Sequence, residues 1–443
     1  MTAMENIQGD INRKHGINIE ASMAFCNGGT MKPKRIVIRA EQLYTGKDLL
    51  TDQTIIVEGD RIIDVTGRAY KADHSGVVTP ALIDAHSHIG MERQGEPSTE
   101  SEVDDTFNTF APLQNPVNSI YFDDRAFVEA VDFGVLYSCV VPGSGNVLGG
   151  QAMLIKNFRQ TRKNAVMGHY GYKMALGYNP RSDSRWKGQQ HNTRMGNAAF
   201  LEMQFAEVMR HESIARAKRD RAIMDLEKDL NRPGTSKQEN DHKRSWVTVA
   251  YENALSAEQW VVFGMLKGEK PIKVHVHKDD DALFLVDLKK RFGLNVTAEH
   301  TCGVTKTEVF NELADNNIPI VYGPLDSFDY KVELKNASYK NVVSLMDSRA
   351  RFGLMTDHPV ILAHHLRDSL KYFLINGMAP EAAIGLVTRE NAKILDIHDR
   401  LGTIKPGMLA SMIIWNKDPL HLSAFPRIVL AEGEIIRKAE VNV

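Results

Sequence analysis

From Arg35 the chain alternates apolar and polar positions rich in β-branched residues, first in RIVIRAEQLYTG and then in TIIVEGDRIIDV, with KDLLTDQ as a turn-rich connection. Period-two alternation interrupted by Gly-Asp predicts a short meander with a hairpin turn. The same texture returns in SMIIWNKDP and RIVLAEGEIIRK, so residues 34–79 and 400–443 are expected to complete one small β-sandwich. Between them, over residues 80–399, apolar runs separated by helical stretches predict an α/β domain with a parallel sheet covered by helices. Eight runs read as strands: ALIDAHSH, GVLYSCVVP, QAMLIKN, VMGHYGYKMAL, PIKVHVH, LNVTAEH, IPIVYG and FGLMTD. Helices are predicted at 123–132, 197–230, 254–267, 279–292, 305–316, 364–376 and 380–395, the last opening on Pro380-Glu381. Asn231 to Lys243 reads as a polar loop, and the connection 179–253 has the length of a functional segment or lid. Residues 1–33 show no sustained period and read as an N-terminal extension.

The chemistry gathers where strands end. His86 and His88 stand two apart at the end of an apolar run, so both point to one side of a strand and can offer two imidazoles to one ion. Three later runs end in His275 and His277, in His300, and in Asp357-His358. In a parallel barrel the carboxyl ends of all strands meet at one face. The separation of His86 from Asp357, 357 minus 86 or 271 residues, is close to the length of one (β/α)8 barrel. Period two puts His275 and His277 on the same face and leaves both open as ligands. Lys173, in the apolar GYKMALG, is a poor occupant of a buried strand unless it has a task, with Lys156 second; its stem could equally pack while its ammonium reaches solvent. Ser144 and Asn146 in GSGN and Arg194 in TRMG sit in or near loops where a substrate carboxylate could be met, although glycine turns alone would explain such loops.

Composition narrows the remaining choices. Across 443 residues the hydrophobic share is 43% and the charged share 25%, which excludes a disordered or fibrous chain. The net charge of -2 lacks the basic balance of a nucleic-acid or membrane-surface protein, so a small-molecule substrate is the expected partner. Three scattered cysteines, Cys26, Cys139 and Cys302, favour a reducing compartment, and no run reaches the roughly 18 apolar residues of a membrane span. A cytoplasmic enzyme is expected, and the Met-rich FLEMQFAEVM is compatible with a homo-oligomer.

The set His86-x-His88, His275, His300 and Asp357, with the C-terminal DRLGTIKPGMLASMIIWNKDP, resembles the amidohydrolase superfamily over roughly residues 35–437. VVPGSGNVLGGQAMLIKN, YKMALGYNP and NTRMG look most like its metallo-dependent hydrolases near imidazolonepropionases and dipeptidases. One departure is Ser411-Met412, where relatives often carry Asp-Leu. The resemblance implies a distorted TIM (β/α)8 barrel beside a small β-sandwich. It also implies one or two divalent metal ions per chain, with zinc suited to imidazole and carboxylate ligands. Carried over by residue, His86, His88 and Asp357 would hold the first ion, His275 and His300 that ion or a second, and a carboxylated Lys173 would bridge two. A metal-activated hydroxide would attack an amide, small peptide or cyclic amide, with Asp357 as general base and then acid. His277, Arg194, Asn146 and His358 would be substrate contacts. Lys278 stands where deaminases and imidazolonepropionases of the superfamily usually carry a glutamate that handles protons, which counts against the alternative of an amidine deaminase. A non-catalytic interaction protein on the same barrel is the other alternative, and the intact ligand set counts against it.

Overall fold

The computed structural model describes residues 34–439 except 182–187, 189, 231, 233–235 and 328–330, so the extension 1–33 lies outside the described residues. Strands β1 (Arg35–Tyr44), β2 (Leu49–Glu58), β3 (Arg61–Thr66) and β4 (His74–Pro80) form the N-terminal part of one sheet. Alternation decides which face is buried: Ile36, Ile38 and Ala40 of β1 point into the core while Arg35 and Glu41 face solvent. The turn-rich stretch is shorter than expected, because Leu49 already begins β2 after a turn at Thr45–Asp48.

The barrel strands are β5 (Leu82–Ser87), β6 (Val135–Val140), β7 (Leu148–Lys156), β8 (Val166–Ala175), β9 (Ile272–Val276), β10 (Val296–His300), β11 (Ile320–Tyr322) and β12 (Phe352–Leu354). Each lies within or overlaps one of the eight apolar runs. The chain then returns through β13 (Met412–Trp415), β14 (Pro426–Ala431) and β15 (Glu434–Lys438) to the first sheet. That sheet has the order β15-β14-β13-β4-β1-β2-β3, and β13 lies antiparallel on β4 with Met412 opposite Pro80. Both chain ends therefore share one hydrogen-bonded sheet of seven strands.

The eight-stranded sheet runs in sequence order from β5 to β12, but it is not wholly parallel. Strand β7 is antiparallel to both β6 and β8. The cause is the connection Val141–Val147: a parallel crossover needs at least about 10 residues, and this link is shorter. The reversal carries the GSGN run to the end of the barrel where β6 finishes, and it sends Lys156 to the opposite end, where it pairs with Glu432 at 2.8 Å.

The seam between β12 and β5 is closed largely by side chains. Asn391, fully buried, donates to Ile83 O on β5 at 2.6 Å and to Leu354 O on β12 at 2.8 Å, and its Oδ1 accepts from Leu354 N at 3.0 Å. Gly353 leaves room for this, since a Cβ there would lie 1.9 Å from Asn391 Oδ1. Asp84 adds a second clasp, accepting from Thr356 N at 3.2 Å and from the Thr356 hydroxyl.

Helices cover the barrel at Arg125–Asp132, Ala257–Leu266, Asp279–Phe292 and Thr307–Asp315, close to the predicted positions. The segment expected as a loop is different. Of Asn231 to Lys243, residues 231 and 233–235 lie outside the described residues, and Lys237 to Lys243 open the helix Lys237–Glu252, with Ser236 capping Glu239 N, so their charges mark an exposed helix face and not a loop. The connection 179–253 thus consists mainly of this helix and the long helix Arg194–Leu230. Residues 207–259 form a compact unit apart from that of residues 34–206 and 260–443. In FLEMQFAEVM, Leu201, Phe205 and Val208 are buried while Met203 and Met209 are exposed. No helix among the described residues is long and apolar enough to cross a membrane.

Replacing Asn391 by alanine strips three buried main-chain groups of their partners, each costing roughly 1–3 kcal/mol. Asn391→Ala is expected to lower stability in urea unfolding by about 3 kcal/mol or more; a loss below about 1 kcal/mol would mean that the seam does not depend on this side chain.

Candidate metal centre

The strand ends bring the expected residues into two adjoining groups. Ligand atoms of His86, His88 and Asp357 lie within 4.8 Å of one another, as do those of His275, His277 and His300. In the first group, His86 Nε2 and His88 Nε2 are 3.5 and 3.2 Å from Asp357 Oδ1. Lys173 Nζ, on β8, is 3.4 Å from His86 Nε2, and His300 Nδ1 is 3.9 Å from Asp357 Oδ2, so the two groups adjoin.

Each of four imidazoles has one nitrogen held by a fixed acceptor and the other turned inward. His86 Nδ1 donates to Glu299 Oε2 at 2.7 Å, and His88 Nδ1 to Val141 O at 2.7 Å. His300 Nδ1 donates to Gly323 O at 3.1 Å, leaving its Nε2 without a partner. His275 does the reverse: Nε2 donates to Glu333 Oε1 at 3.1 Å and Nδ1 is unpartnered. A hydrogen bond at one ring nitrogen fixes the tautomer and presents the lone pair of the other. His277 differs, because its Nε2 lies 3.8 Å from Glu333 Oε1 and its Nδ1 has no partner, while its ring stacks on His300.

Burial holds His86, His275, His277 and His300 neutral. Desolvation, reinforced by Lys173, pushes the pKa of His86 well below its ordinary value, and burial brings His275 down to about 4. The pKa of Asp357 is also lowered: burial raises it, but the hydrogen bond from His88 and the charge of Lys173 outweigh this and keep the carboxyl ionised. Neutral imidazoles, an ionised carboxylate and buried nitrogens without partners are the donor set that a divalent cation requires, so the residues present fit such an ion.

The backbone explains how neighbours in sequence can both serve this site. Along β10 a regular strand would send Glu299 and His300 to opposite faces. His300 and Thr301 instead take left-handed backbone angles, φ 70° and 54°, and Asp357 does the same at φ 54°. The chain turns at the end of the strand, and Glu299 and His300 both reach the interior.

Glu299 and Lys273 were not anticipated. Lys273 is fully buried, 3.0 Å from Glu299 Oε2, on the same face of β9 as His275. Period two from His275 would have found it; Glu299 had no such signal. Lys331 and Glu333 were also missed, since they lie in an irregular segment between β11 and β12.

The proposed substrate contacts are placed less uniformly. Asn146 is buried and donates to Asp105 O and Asn108 O, and Ser144 accepts from Asn179 Nδ2. Gly143 and Gly145 make room for Asp104, whose carboxylate would lie 2.4 and 3.0 Å from added Cβ atoms. The GSGN loop is thus a packed scaffold. Arg194 is engaged by Asp280 at 2.6 Å and Asp281 at 2.9 Å, which occupies the guanidinium expected to meet a substrate. His358 is fully buried beside Asp357, with Nδ1 accepting from Ala363 N and Nε2 unpartnered. Lys278 turns to Asp280 at 3.6 Å.

Residues 272–437 match the model of the amidohydrolase family. Over 370 residues the chain is 23% identical to amidohydrolase tasK of Hapsidospora irregularis, covering 80% of this chain and 36% of that protein. A 48-residue stretch is 46% identical to the imidazolonepropionase of Hahella chejuensis, covering 11% of this chain and 12% of that one. The chain thus spans about a third or less of the length of these curated relatives. Among solved structures, an amidohydrolase from Thermotoga maritima superposes with a TM-score of 0.78 at 24% identity, over 91% of this chain and all of that one.

Burial lowers the pKa of Lys173 from 10.5 to about 8. The unfolded chain then binds this proton more tightly, so stability of the metal-free protein should rise as pH climbs from about 8 to 10.5. Below that window the buried ammonium costs on the order of 3 kcal/mol. In chelator at pH 7, Lys173→Met is expected to resist urea better than wild type, with the advantage shrinking toward pH 10; equal stabilities at both pH values would refute this.

Proposed function

We propose that this chain, whose residues 272–437 match the amidohydrolase family, is an enzyme that hydrolyses an amide, small peptide or cyclic amide with the help of divalent metal ions. The observation that carries the reading is the convergence of His86 Nε2 and His88 Nε2 on one oxygen of Asp357, with the far nitrogen of each imidazole anchored. His86, His88 and Asp357 would hold one ion, and His275 and His300 a second. Lys173 is the group to join them: its lowered pKa leaves a share of neutral amine near pH 7 that can take up carbon dioxide, forming an N–C bond and releasing a proton. When bound, ions at these positions, zinc in our reading, supply Lewis acidity that acidifies water and polarises a carbonyl.

The chain's own groups carry the protons. Asp357 lies at the meeting point of the two groups, partly accessible from the mouth, with its carboxylate ionised at neutral pH. It accepts a proton from the water that adds to the scissile carbonyl carbon and delivers it to the leaving nitrogen as the carbon–nitrogen bond breaks. The products are a carboxylate and an amine. Glu299, with Lys273 and the Thr297 hydroxyl around it, keeps His86 from rotating during this cycle. His277 and His358, each with a buried nitrogen without a protein partner, would contact the substrate in this reading.

Zinc-loaded enzyme assayed against dipeptides and cyclic amides tests the reading. Asp357→Asn should lower kcat by about 10²–10⁴-fold at saturating metal. Retention of wild-type kcat by this variant would exclude Asp357 as the proton carrier.

A further inference from the structure

We propose that Glu333 is the positioning residue of the second ion site, selecting His275 over His277 as its ligand. This rests on the metal-dependent reading above. Glu333 comes from Val332–Leu334, a short 3-10 turn in the segment joining β11 to β12, yet its carboxylate is buried between the end of β9 and the turn after β8. Oε1 accepts from Lys331 Nζ at 2.8 Å and from His275 Nε2 at 3.1 Å, and Oε2 accepts from Tyr178 N at 3.1 Å. Both oxygens are committed to these donors, so the carboxylate orients a ligand and does not face the ion itself. Lys331 supplies the countercharge and is tied in turn to Asn179 Oδ1 at 3.0 Å.

His275 and His277 share a face of the chain, and sequence period cannot separate them. The distances do. Only His275 is within hydrogen-bonding reach of Glu333, with Nε2–H donated and the Nδ1 lone pair left for an ion; His277 at 3.8 Å is not held. The arrangement repeats, on the other side of the mouth, what Glu299 does for His86. It also means that the second ion site depends on a loop 58 residues beyond His275 being docked, whereas His86 is anchored by Glu299 on the barrel strand β10.

The test is zinc binding by competition with a chromophoric chelator, using wild type, Glu333→Ala and Glu333→Gln, with the tautomer of His275 read by nitrogen-15 NMR of the zinc-free chain. Wild type should take up two ions and show His275 protonated at Nε2. Glu333→Ala should weaken the second ion about 10–100-fold, leave the first within two-fold, and let His275 sample both tautomers. Glu333→Gln keeps an acceptor and should fall between, and it decides the matter if the alanine variant does not fold. Two ions bound as tightly in both variants as in wild type would overturn the role of Glu333 alone. A wild type that binds no zinc would overturn the metal-dependent reading and this inference with it; one that binds a single ion would remove the second site and this inference only.

Discussion

Everything at the mouth of this barrel depends on buried imidazoles being held by one nitrogen so that the other has a fixed direction. His86 is held by Glu299, His88 by the carbonyl of Val141 and His300 by the carbonyl of Gly323, all within 3.1 Å. A neutral imidazole buried without such an anchor could rotate or exchange tautomers, and its inward lone pair would have no defined position. The cost is a set of buried nitrogens without protein partners, each worth roughly 1–3 kcal/mol if left dry.

The anchors lie on different strands, so the site is only as exact as the barrel. β5 carries His86, and Asp357 follows β12, the two ends of the strand order. Asn391 and Asp84 bind these ends together just below His86 and Asp357, and Asp357 N donates to His86 O at 3.2 Å while His88 N donates to His358 O at 2.9 Å. Closure of the barrel and registration of His86, His88 and Asp357 are thus one structural event. The buried pair of Lys273 and Glu299 sits one layer deeper and joins β9 and β10 to His86.

Much of this was legible in the chain. Apolar runs ending in histidine or aspartate marked β5, β9, β10 and β12, because burial on both faces leaves few polar residues in a barrel strand and those few stand out. Three things were not legible. The reversal of β7 depends on the length of a connection whose limits periodicity does not define. The inward turn of both Glu299 and His300 depends on left-handed backbone at His300, which contradicts strict alternation. Glu333 reaches His275 from an irregular segment with no period at all. The first turns of the helix Lys237–Glu252, up to Lys243, look like a loop in the sequence because their residues are almost all charged or polar.

Diffraction data from zinc-grown crystals, collected on both sides of the zinc absorption edge, test whether these imidazoles hold ions. Two anomalous peaks are expected, about 3.5–4 Å apart. One should lie roughly 2.1 Å from the Nε2 atoms of His86 and His88, and the other equally close to His275 Nδ1 and His300 Nε2. No peak at the mouth, or a peak bound through His86 Nδ1 with Glu299 displaced, would contradict it.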